Sequence, residues 1–325
     1  MPRYSQFEHV SVNASAVAIG NFDGVHLGHR ALLDRAVRRA NAIGARPAVL
    51  TFDPHPVRIL APSKAPPLIT READKYALLE AAGIEVILAQ RFDRAFAGLS
   101  PDDFAGKVLA QGLAARHVIV GYDFRFGARR AGDVETLRDL GDRLGFAVDV
   151  ISPQTPDGAN VASSSRIRAD IVAGRMVEAA AQLGRPYHVA GTVVRGHQRG
   201  RALGFPTANL DTDAELRPAT GIYAGWLDWG VGPRPAAVSV GHNPTFGEGA
   251  PRTIEAHVLD ETDLELYGRE ARLWLVDRLR GEEKYPDLPA LEAAIARDVR
   301  QTRALLAQGE PPTALPHLAP TERGA

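Results

Sequence analysis

Cysteine is missing from all 325 residues of this chain. Without thiols the protein forms no disulfide bond and offers no thiolate as a metal ligand. A cysteine nucleophile is excluded for the same reason. The sequence therefore lacks both a disulfide framework and thiol chemistry.

A long apolar segment is missing as well. No stretch has the ~20 consecutive apolar residues that a transmembrane helix requires. Residues 1–6 lack the apolar core of a secretory signal. We therefore expect a cytoplasmic protein without a membrane partner.

The chain also lacks an excess of charge of either sign. Lysine and arginine total 38 against 39 aspartate and glutamate residues, so the formal net charge is -1. Proteins that bind nucleic acids usually carry a basic patch or stripe. We expect no nucleic-acid partner, and any phosphate recognition must be local.

The pattern of the first half alternates between strands and helices. A chain of this length suits two domains rather than one. Predicted strands lie at residues 17–19, 48–52, 84–88, 117–121 and 147–151, and predicted helices begin near residues 27, 71, 100, 134 and 163. This alternation is typical of a doubly wound parallel α/β sheet. Neither a Rossmann fingerprint nor a P-loop is present.

The pattern of the second half changes to strand after strand. The predicted strands are 187–194, 222–229, 236–240, 253–259 and 272–276, which favour an antiparallel barrel or sandwich. A helix over 288–306 should cover it with one apolar face, formed by Leu288, Leu291, Ile295, Val299, Thr302 and Leu305. A Gly-Arg-Pro break at 184–186 predicts domains 1–185 and 186–308, followed by a disordered tail over 309–325.

Two histidines follow the first strand, at the start of a helix. The spacing predicts that His26 and His29 share one face of the first helical turn, where unpaired N–H groups and the helix dipole favour phosphate. Gly28 lets a ligand approach the backbone. The turn before them contains Gly20, Asn21 and Phe22. The alternative is that the histidines only cap the helix; the pair with its glycine favours phosphate binding and resembles the HIGH motif of adenylyl and cytidylyl transferases.

Two further segments of the first half are candidates for the same site. Serines at the start of a helix are favoured caps, but with arginines they also form a phosphate clamp; the segment contains Ser163, Ser164, Ser165, Arg166 and Arg168. After the 117–121 strand, Asp123 and Phe124 are positioned to contact a planar ring, or the aromatic residues there pack on the core. His55, after another strand, is either a ligand or part of a strand terminator.

The second half offers two candidate features: a basic loop that contains glycines, and a carboxylate on a predicted strand. The loop is either a phosphate-binding nest or a β-hairpin loop, and it contains Gly196, Gly200, Arg201 and Gly204. Thr207 and Asn209 offer oxygen ligands of the kind that Mg²⁺ prefers. Alternation places Glu255 on the face of Thr253 and His257. If that face is inward, Glu255 is a candidate base; otherwise it is solvated.

Several motifs in order resemble the bacterial bifunctional riboflavin kinase/FAD synthetase family over residues 15–308. The matching segments are GNFDGVHLGH at 20–29, TFDPHP at 51–56, VGYDFRFG at 120–127, residues 163–168, GRALGFPTANL at 200–210, SVGHNPTF at 239–246 and LRGEEKY at 279–285. Ser165 stands where the family commonly has Thr, and Tyr285 where Phe is usual.

The resemblance implies two reactions with ATP as co-substrate. The second half should phosphorylate riboflavin to FMN, and the first should adenylylate FMN to FAD with release of pyrophosphate. It implies that His26 and His29 contact ATP phosphates, that residues 163–168 with Arg168 serve the triphosphate, and that Asp123 lies near the flavin or nucleotide. In the kinase half, Thr207 and Asn209 should hold Mg²⁺ and nucleotide, Glu255 should be the base, and Arg280 should lie near the flavin.

Overall fold

The computed structural model describes residues 1–155, 161–196, 204–241, 252–261 and 265–313. By their contacts these residues form two compact units. The first unit holds the described residues of Met1–Pro67 and Glu72–Ala162, and the second holds those of Leu68–Arg71 and Ser163–Ala325. The helices between 164 and 183 thus group with the second unit by their contacts. The boundary predicted after residue 185, between the parts that carry the two activities, stays a prediction. Most of the predicted tail, residues 314–325, lies outside the described residues.

The described strands and helices follow the predicted order closely. The strands are β1 Arg3–Tyr4, β2 Ser15–Ile19, β3 Arg46–Asp53, β4 Val86–Arg91, β5 Ala115–Gly121, β6 Ala147–Ile151, β7 Tyr187–Val194, β8 Ala208–Asp211, β9 Gly221–Asp228, β10 Arg234–Gly241, β11 Thr253–Val258 and β12 Glu270–Arg280. The helices are α1 Leu27–Ile43, α2 Pro56–Leu60, α3 Glu72–Ala81, α4 Arg94–Ala97, α5 Pro101–Asp103, α6 Val134–Leu144, α7 Ser164–Ala173, α8 Met176–Leu183 and α9 Leu288–Leu306. Helix α5 continues as π-helical turns over Phe104–Gly112. Within the described ranges, no helix is both long and apolar enough to cross a bilayer.

The first unit is built on a six-stranded parallel sheet in the order β1-β4-β3-β2-β5-β6. All five residues of β2 are buried. A central strand that is buried on both faces is typical of a parallel sheet with helices packed on both sides. This confirms the predicted doubly wound fold.

The order of the strands creates a switch point beside β2. The chain goes outward from β2 through β3 to β4, and then returns to place β5 on the other side of β2. Ala18 of β2 is paired with Ile119 of β5. The loops that follow β2 and β5 therefore leave the same edge of the sheet side by side, where open α/β sheets bind their ligands.

The second unit contains a closed antiparallel barrel in the order β10-β11-β8-β7-β12-β9. The sequence pattern predicted five of these six strands. Strand β8 was missed because it has only four residues, two of which are Asn209 and Asp211, types that are rare in strands. It forms a strand because β7 and β11 pair with it on either side.

Helix α9 packs on the barrel with a face that overlaps the predicted one only in part. Its buried residues are Ala294, Asp298, Thr302 and Leu306, while Leu288 is 56% exposed. Of the other predicted members of the face, Thr302 is buried, whereas Leu291, Ile295, Val299 and Leu305 are half-buried. The apolar pattern pointed to a neighbouring stripe because a charged residue, Asp298, occupies the centre of the buried one.

An ionic cluster joins helix α1 to the edge strand β6. The Asp149 carboxylate accepts hydrogen bonds from Arg39 Nε at 2.6 Å and Arg39 Nη2 at 2.8 Å. Arg35 Nη1 and His117 Nδ1 lie 3.5 and 3.7 Å from the same carboxylate. The hydrogen bond from Arg39 holds the pKa of Asp149 below its usual value.

We predict that Asp149→Asn destabilises the protein by about 1–2 kcal/mol at pH 7, because charge-assisted hydrogen bonds to a half-exposed arginine are lost. A carboxylate with a lowered pKa stabilises the folded state above the ordinary aspartate pKa of about 3.9, and this stabilisation is lost as the pH falls through the folded-state value. The difference between variant and wild type should therefore shrink below about pH 3.9. Urea unfolding, followed by far-UV circular dichroism at several pH values, measures this difference in unfolding free energy. The exposed Asp142→Asn is the control. A penalty that stays constant with pH would contradict the prediction.

Candidate active sites

The turn between β2 and α1 has an unusual backbone. Phe22 and Val25 adopt φ angles of 52° and 39°, and Gly24 has a φ of 86°. Both non-glycine residues are buried. A left-handed conformation in a bulky or β-branched residue costs about 1–3 kcal/mol, and such strain concentrates at functional sites. The turn directs the first residues of α1 toward the edge where the switch point lies.

His26 and His29 form a stacked pair at the start of α1. The Nδ1 atom of His26 accepts a hydrogen bond from the backbone N–H of His29 at 3.3 Å. The two ring centroids lie 3.7 Å apart with an interplanar angle of 19°, and the Phe22 ring lies 5.1 Å from that of His29. His26 therefore caps the helix as the alternative interpretation expected. The capping bond also fixes the orientation of the pair, so capping and ligand binding are compatible.

Glycines make room for the side chains of this motif. A Cβ atom on Gly28 would lie 3.0 Å from Cε1 and 3.1 Å from Nδ1 of His26. A Cβ atom on Gly20 would lie 3.3 Å from the Phe22 ring. The structure thus shows a steric reason for Gly28, because any side chain there would push against the imidazole that caps α1; ligand access at Gly28 stays a prediction. The carbonyl of Asn21 accepts a hydrogen bond from Thr51 Oγ1 of β3 at 3.1 Å.

The loop after β5 presents one exposed carboxylate and two stacked rings. Asp123 and Tyr122 are exposed. Phe124 and Phe126 stack with centroids 5.5 Å apart, and Phe126 is buried in the core of the first unit. Phe124 packs partly against that core. The aromatic residues thus contribute to packing, while Asp123 remains available at the switch point.

A polar cluster at the end of β3 had no counterpart in the sequence analysis. Burial raises the pKa of Asp53, and nearby Glu72 adds to the rise. Burial lowers the pKa of Lys75, and three carboxylates oppose that shift: Glu72, Asp53 and Asp23. The Tyr76 hydroxyl donates a hydrogen bond to Glu72. The pKa of Tyr76 is raised mainly by burial, and this hydrogen bond raises it further. The only sequence feature that pointed to this cluster is Asp53, the acidic residue before the cis proline that follows β3.

Two predicted ligands at helix starts act as caps. His55 Nδ1 accepts a hydrogen bond from the Val57 backbone N–H at 3.3 Å, at the start of α2. Ser163 Oγ accepts one from the Arg166 backbone N–H at 3.4 Å, at the start of α7. Arg166 and Arg168 are half-buried on that helix. The cap interpretation is therefore correct for Ser163, whereas the cap formed by His55 was not predicted; a role of either residue toward a ligand stays a prediction.

The barrel brings together three of the residues predicted for its site. Asn209 of β8 is paired directly with Glu255 of β11. Thr207 Oγ1 donates a hydrogen bond to Glu255 Oε2 at 3.2 Å. Gly196 lies so close that a Cβ atom on it would come within 2.4 Å of the Asn209 carboxamide. Hydroxyl, amide and carboxylate oxygens thus form one cluster.

The remaining glycines and arginine of the predicted nest are only partly described. Gly204 has a φ of 80°, and a Cβ atom there would meet no described atom within 4 Å. Gly200 and Arg201 lie outside the described residues.

Glu255 lies on the outer face of the barrel. The interior is filled by its neighbours Ile254, Ala256 and Val258, which are buried, whereas Glu255 and His257 are half-buried. The sequence correctly predicted that Glu255 and His257 share one face of β11, but it did not decide whether that face is inside or outside the barrel. His257 Nδ1 lies 2.9 Å from the Pro206 carbonyl oxygen, which holds the chain before Thr207 against β11. Glu255 is therefore neither an interior carboxylate nor a freely solvated one.

The donor set of this cluster is suited to a hard divalent cation. In the described part of the chain, no three His, Cys, Asp or Glu side chains are grouped to hold a metal. A cation here would be bound by the oxygens of Thr207 and Asn209 together with ligand phosphates and water, as Mg²⁺ commonly is. The donors fit such an ion because all of them are oxygens.

Arg280 lies at the end of β12 and is held by α9. Its guanidinium forms a two-point pair with the buried carboxylate of Asp298, and this hydrogen bonding raises the Arg280 pKa above its usual value. The arginine also lies over the ring of Tyr285 at 5.8 Å.

Comparisons with known proteins agree over nearly the whole chain. Residues 9–165 match the family model described as FAD synthetase, and residues 183–306 match the one described as riboflavin kinase. A bifunctional riboflavin kinase/FMN adenylyltransferase of Escherichia coli K12 is 37% identical over 91% of this chain and 94% of its own length. The protein of the same name from Bacillus subtilis is 34% identical over 88% and 91%.

One solved structure is similar over both units. It is described as a macrolide-efflux protein from Streptococcus pneumoniae, has a TM-score of 0.83 and 28% sequence identity, and covers 93% of this chain and 98% of its own.

We predict that Lys75→Met raises the pKa of Asp53 further, because the lysine charge lowers that pKa in the wild type. The Asp53 carboxyl signal, followed by NMR during a pH titration, should change at higher pH in the variant. Lys107→Met is the matched control, because Lys107 pairs with Asp103 at 2.9 Å and lowers the pKa of that residue instead. An Asp53 titration identical in wild type and Lys75→Met would contradict the prediction.

Proposed function

Since this chain belongs to the family of bifunctional riboflavin kinase/FMN adenylyltransferases, we propose that each of the two predicted domains, 1–185 and 186–308, supplies the residues of one reaction. The carboxyl-terminal part phosphorylates riboflavin with ATP to give FMN, and the amino-terminal part transfers AMP from a second ATP to FMN to give FAD. The observation that supports the site assignment is that Thr207, Asn209 and Glu255 form one cluster on the barrel. The stacked histidines provide its counterpart on the parallel sheet.

In the kinase reaction Glu255 accepts the proton of the ribityl 5′-hydroxyl as its oxygen attacks the γ-phosphorus of ATP. The bond between that phosphorus and the β,γ-bridging oxygen breaks, and ADP leaves. Thr207 Oγ1 donates to Glu255 Oε2, which orients the carboxylate for this step.

We propose Mg²⁺ as the cation of the kinase site. Thr207 and Asn209 would hold it, and it would neutralise phosphate charge. A hydroxyl has lone pairs for a cation as well as a proton for Glu255, so Thr207 serves both. The glycine-containing loop at 196–204, with Arg201, would contact the ATP phosphates.

In the adenylyl transfer a phosphate oxygen of FMN attacks the α-phosphorus of ATP, and pyrophosphate leaves. His26, His29 and the first backbone N–H groups of α1 stabilise the charge that grows on the α-phosphate oxygens. No covalent intermediate with the protein is required. Asp123, next to this turn through the pairing of β2 with β5, lies on the flavin side, and Arg168 with Ser163 serves the departing pyrophosphate.

Single substitutions should separate the two activities. We predict that His29→Ala abolishes FAD formation but leaves FMN formation intact, because it removes a donor to the α-phosphate only. Glu255→Ala should abolish FMN formation but leave conversion of added FMN to FAD. The measurement is chromatographic separation of flavins over time with riboflavin or FMN, ATP and Mg²⁺.

The wild-type time course is the control for both variants, since FMN should appear first and FAD after it. Loss of both activities in either single variant would refute the assignment of one site to each part of the chain. Absence of any conversion by the wild type would refute the proposed function itself.

Gly28→Ala should lower the rate of FAD formation at least tenfold. A Cβ atom 3.0 Å from the His26 ring requires the imidazole to move by a few tenths of an ångström. A misplacement of about 1 Å can cost two orders of magnitude in rate, so we expect this smaller shift to cost about one. Gly106→Ala is the matched control, since this helical glycine has open space where a Cβ would lie. Equal rates of FAD formation in both variants would show that the contact between Gly28 and His26 does not matter.

A further inference from the structure

A buried carboxylate interrupts the packed face of helix α9. Asp298 is 3% exposed and lies between Ala294 and Thr302 on the buried stripe of that helix. Burying a charge is costly unless it is paired and hydrogen-bonded. Replacing a buried ion pair by apolar residues is often neutral or stabilising, so stability alone does not explain why a carboxylate lies here.

The partner of this carboxylate is Arg280, in a two-point geometry. Arg280 Nε lies 3.0 Å from Asp298 Oδ1, and Arg280 Nη2 lies 2.6 Å from Oδ2. The arginine side chain is 15% exposed. Paired in this way, the planar guanidinium has its position and its rotation both fixed.

Arg280 in turn organises the chain that follows β12. Its Nη1 donates a hydrogen bond to the Gly281 carbonyl at 3.0 Å, and the guanidinium lies 5.8 Å from the centre of the Tyr285 ring. The Tyr285 hydroxyl donates to Glu283 at 3.0 Å. Residues 281–285 are therefore ordered around the one guanidinium that Asp298 holds.

This segment lies close to the strands of the kinase cluster. Glu282 Oε1 would be 2.7 Å from a Cβ atom on Gly241, so the Glu282 side chain approaches the end of β10 directly. Gly241 is paired with Thr253 of β11, two residues before Glu255. A change in the orientation of Arg280 would thus alter residues 281–285 on the side of the barrel that carries the candidate base.

We propose that Asp298 is a positioning residue for riboflavin phosphorylation. It holds Arg280, and through it residues 281–285, in the arrangement that binds the flavin substrate of the barrel, without touching the substrate itself. This inference rests on the proposed function, and it takes Arg280 to lie near the flavin, as the family resemblance implies. It adds to that function a residue of α9 that sets the affinity for riboflavin.

The test is Asp298→Asn, which keeps the size of the side chain and removes its charge. The Michaelis constant for riboflavin should rise about tenfold, because charge-assisted hydrogen bonds to Arg280 are lost. The Michaelis constant for ATP in the kinase reaction and the rate of conversion of added FMN to FAD should not change. A residue needed only for stability would lower both activities or the amount of active enzyme, and leave the constant for riboflavin unchanged.

The matched control is Asp260→Asn. Asp260 forms a similar two-point pair with Arg303 of the same helix, at 2.7 and 2.8 Å, but this pair is exposed. Its loss should leave the Michaelis constant for riboflavin at the wild-type value. An equal increase in both variants would overturn the proposal.

Arg280→Lys carries the test if Asp298→Asn does not fold. It keeps a positive charge beside Asp298 but removes the two-point geometry, so the constant for riboflavin should rise while that for ATP stays constant. If the wild type phosphorylates riboflavin and neither variant changes the Michaelis constant for riboflavin, the positioning role is wrong and the proposed function stands. If the wild type forms no FMN, the proposed function fails and this inference fails with it.

Discussion

Both candidate sites depend on which strands are paired, and therefore on the hydrogen-bond register of two sheets. In the first unit, β5 returns to the side of β2 and so brings the loop with Asp123 beside the turn that leads to the histidines. In the second, β8 lies between β7 and β11, and its register places Asn209 opposite Glu255. A shift of one residue would turn every side chain of that strand to the other face. The positions of the chemical groups thus follow from backbone pairing.

Around these strands, side chains that stabilise local structure also hold reactive groups in place. His26 caps α1 and is stacked on His29, so one hydrogen bond satisfies the helix end and orients the pair. The left-handed residues before it, Phe22 and Val25, are strained, and burial keeps them in that conformation. Thr207 similarly bonds Glu255 while it can offer oxygen lone pairs to a cation. With a formal net charge of only -1, the chain offers no general attraction for anions, so phosphate recognition has to come from such local groups.

The two reactions share a chemical logic although their folds differ. Each moves a phosphorus group of ATP to an oxygen of a flavin, and the FMN made by the first reaction is the acceptor in the second. Neither requires a covalent enzyme intermediate, which is consistent with a chain that has no cysteine. In the proposed mechanism, the barrel uses a carboxylate because a neutral hydroxyl must lose its proton. The proposed adenylyl transfer uses imidazoles and helix N–H groups because an FMN phosphate is already anionic and only the charge on the α-phosphate needs stabilising.

The sequence by itself determined the two fold classes, the order of most elements and the motifs, because period, turn residues and caps are local properties. Strand β8, the face of Glu255 and the buried stripe of α9 were decided only by the tertiary structure. The four residues of β8 include the polar Asn209 and Asp211, and they form a strand because β7 and β11 pair with them on either side. Alternation put Glu255 with Thr253 and His257, but barrel closure chose which face is inside. Asp298 is buried because Arg280, distant in sequence, neutralises it, and local pattern contains no information about such a partner.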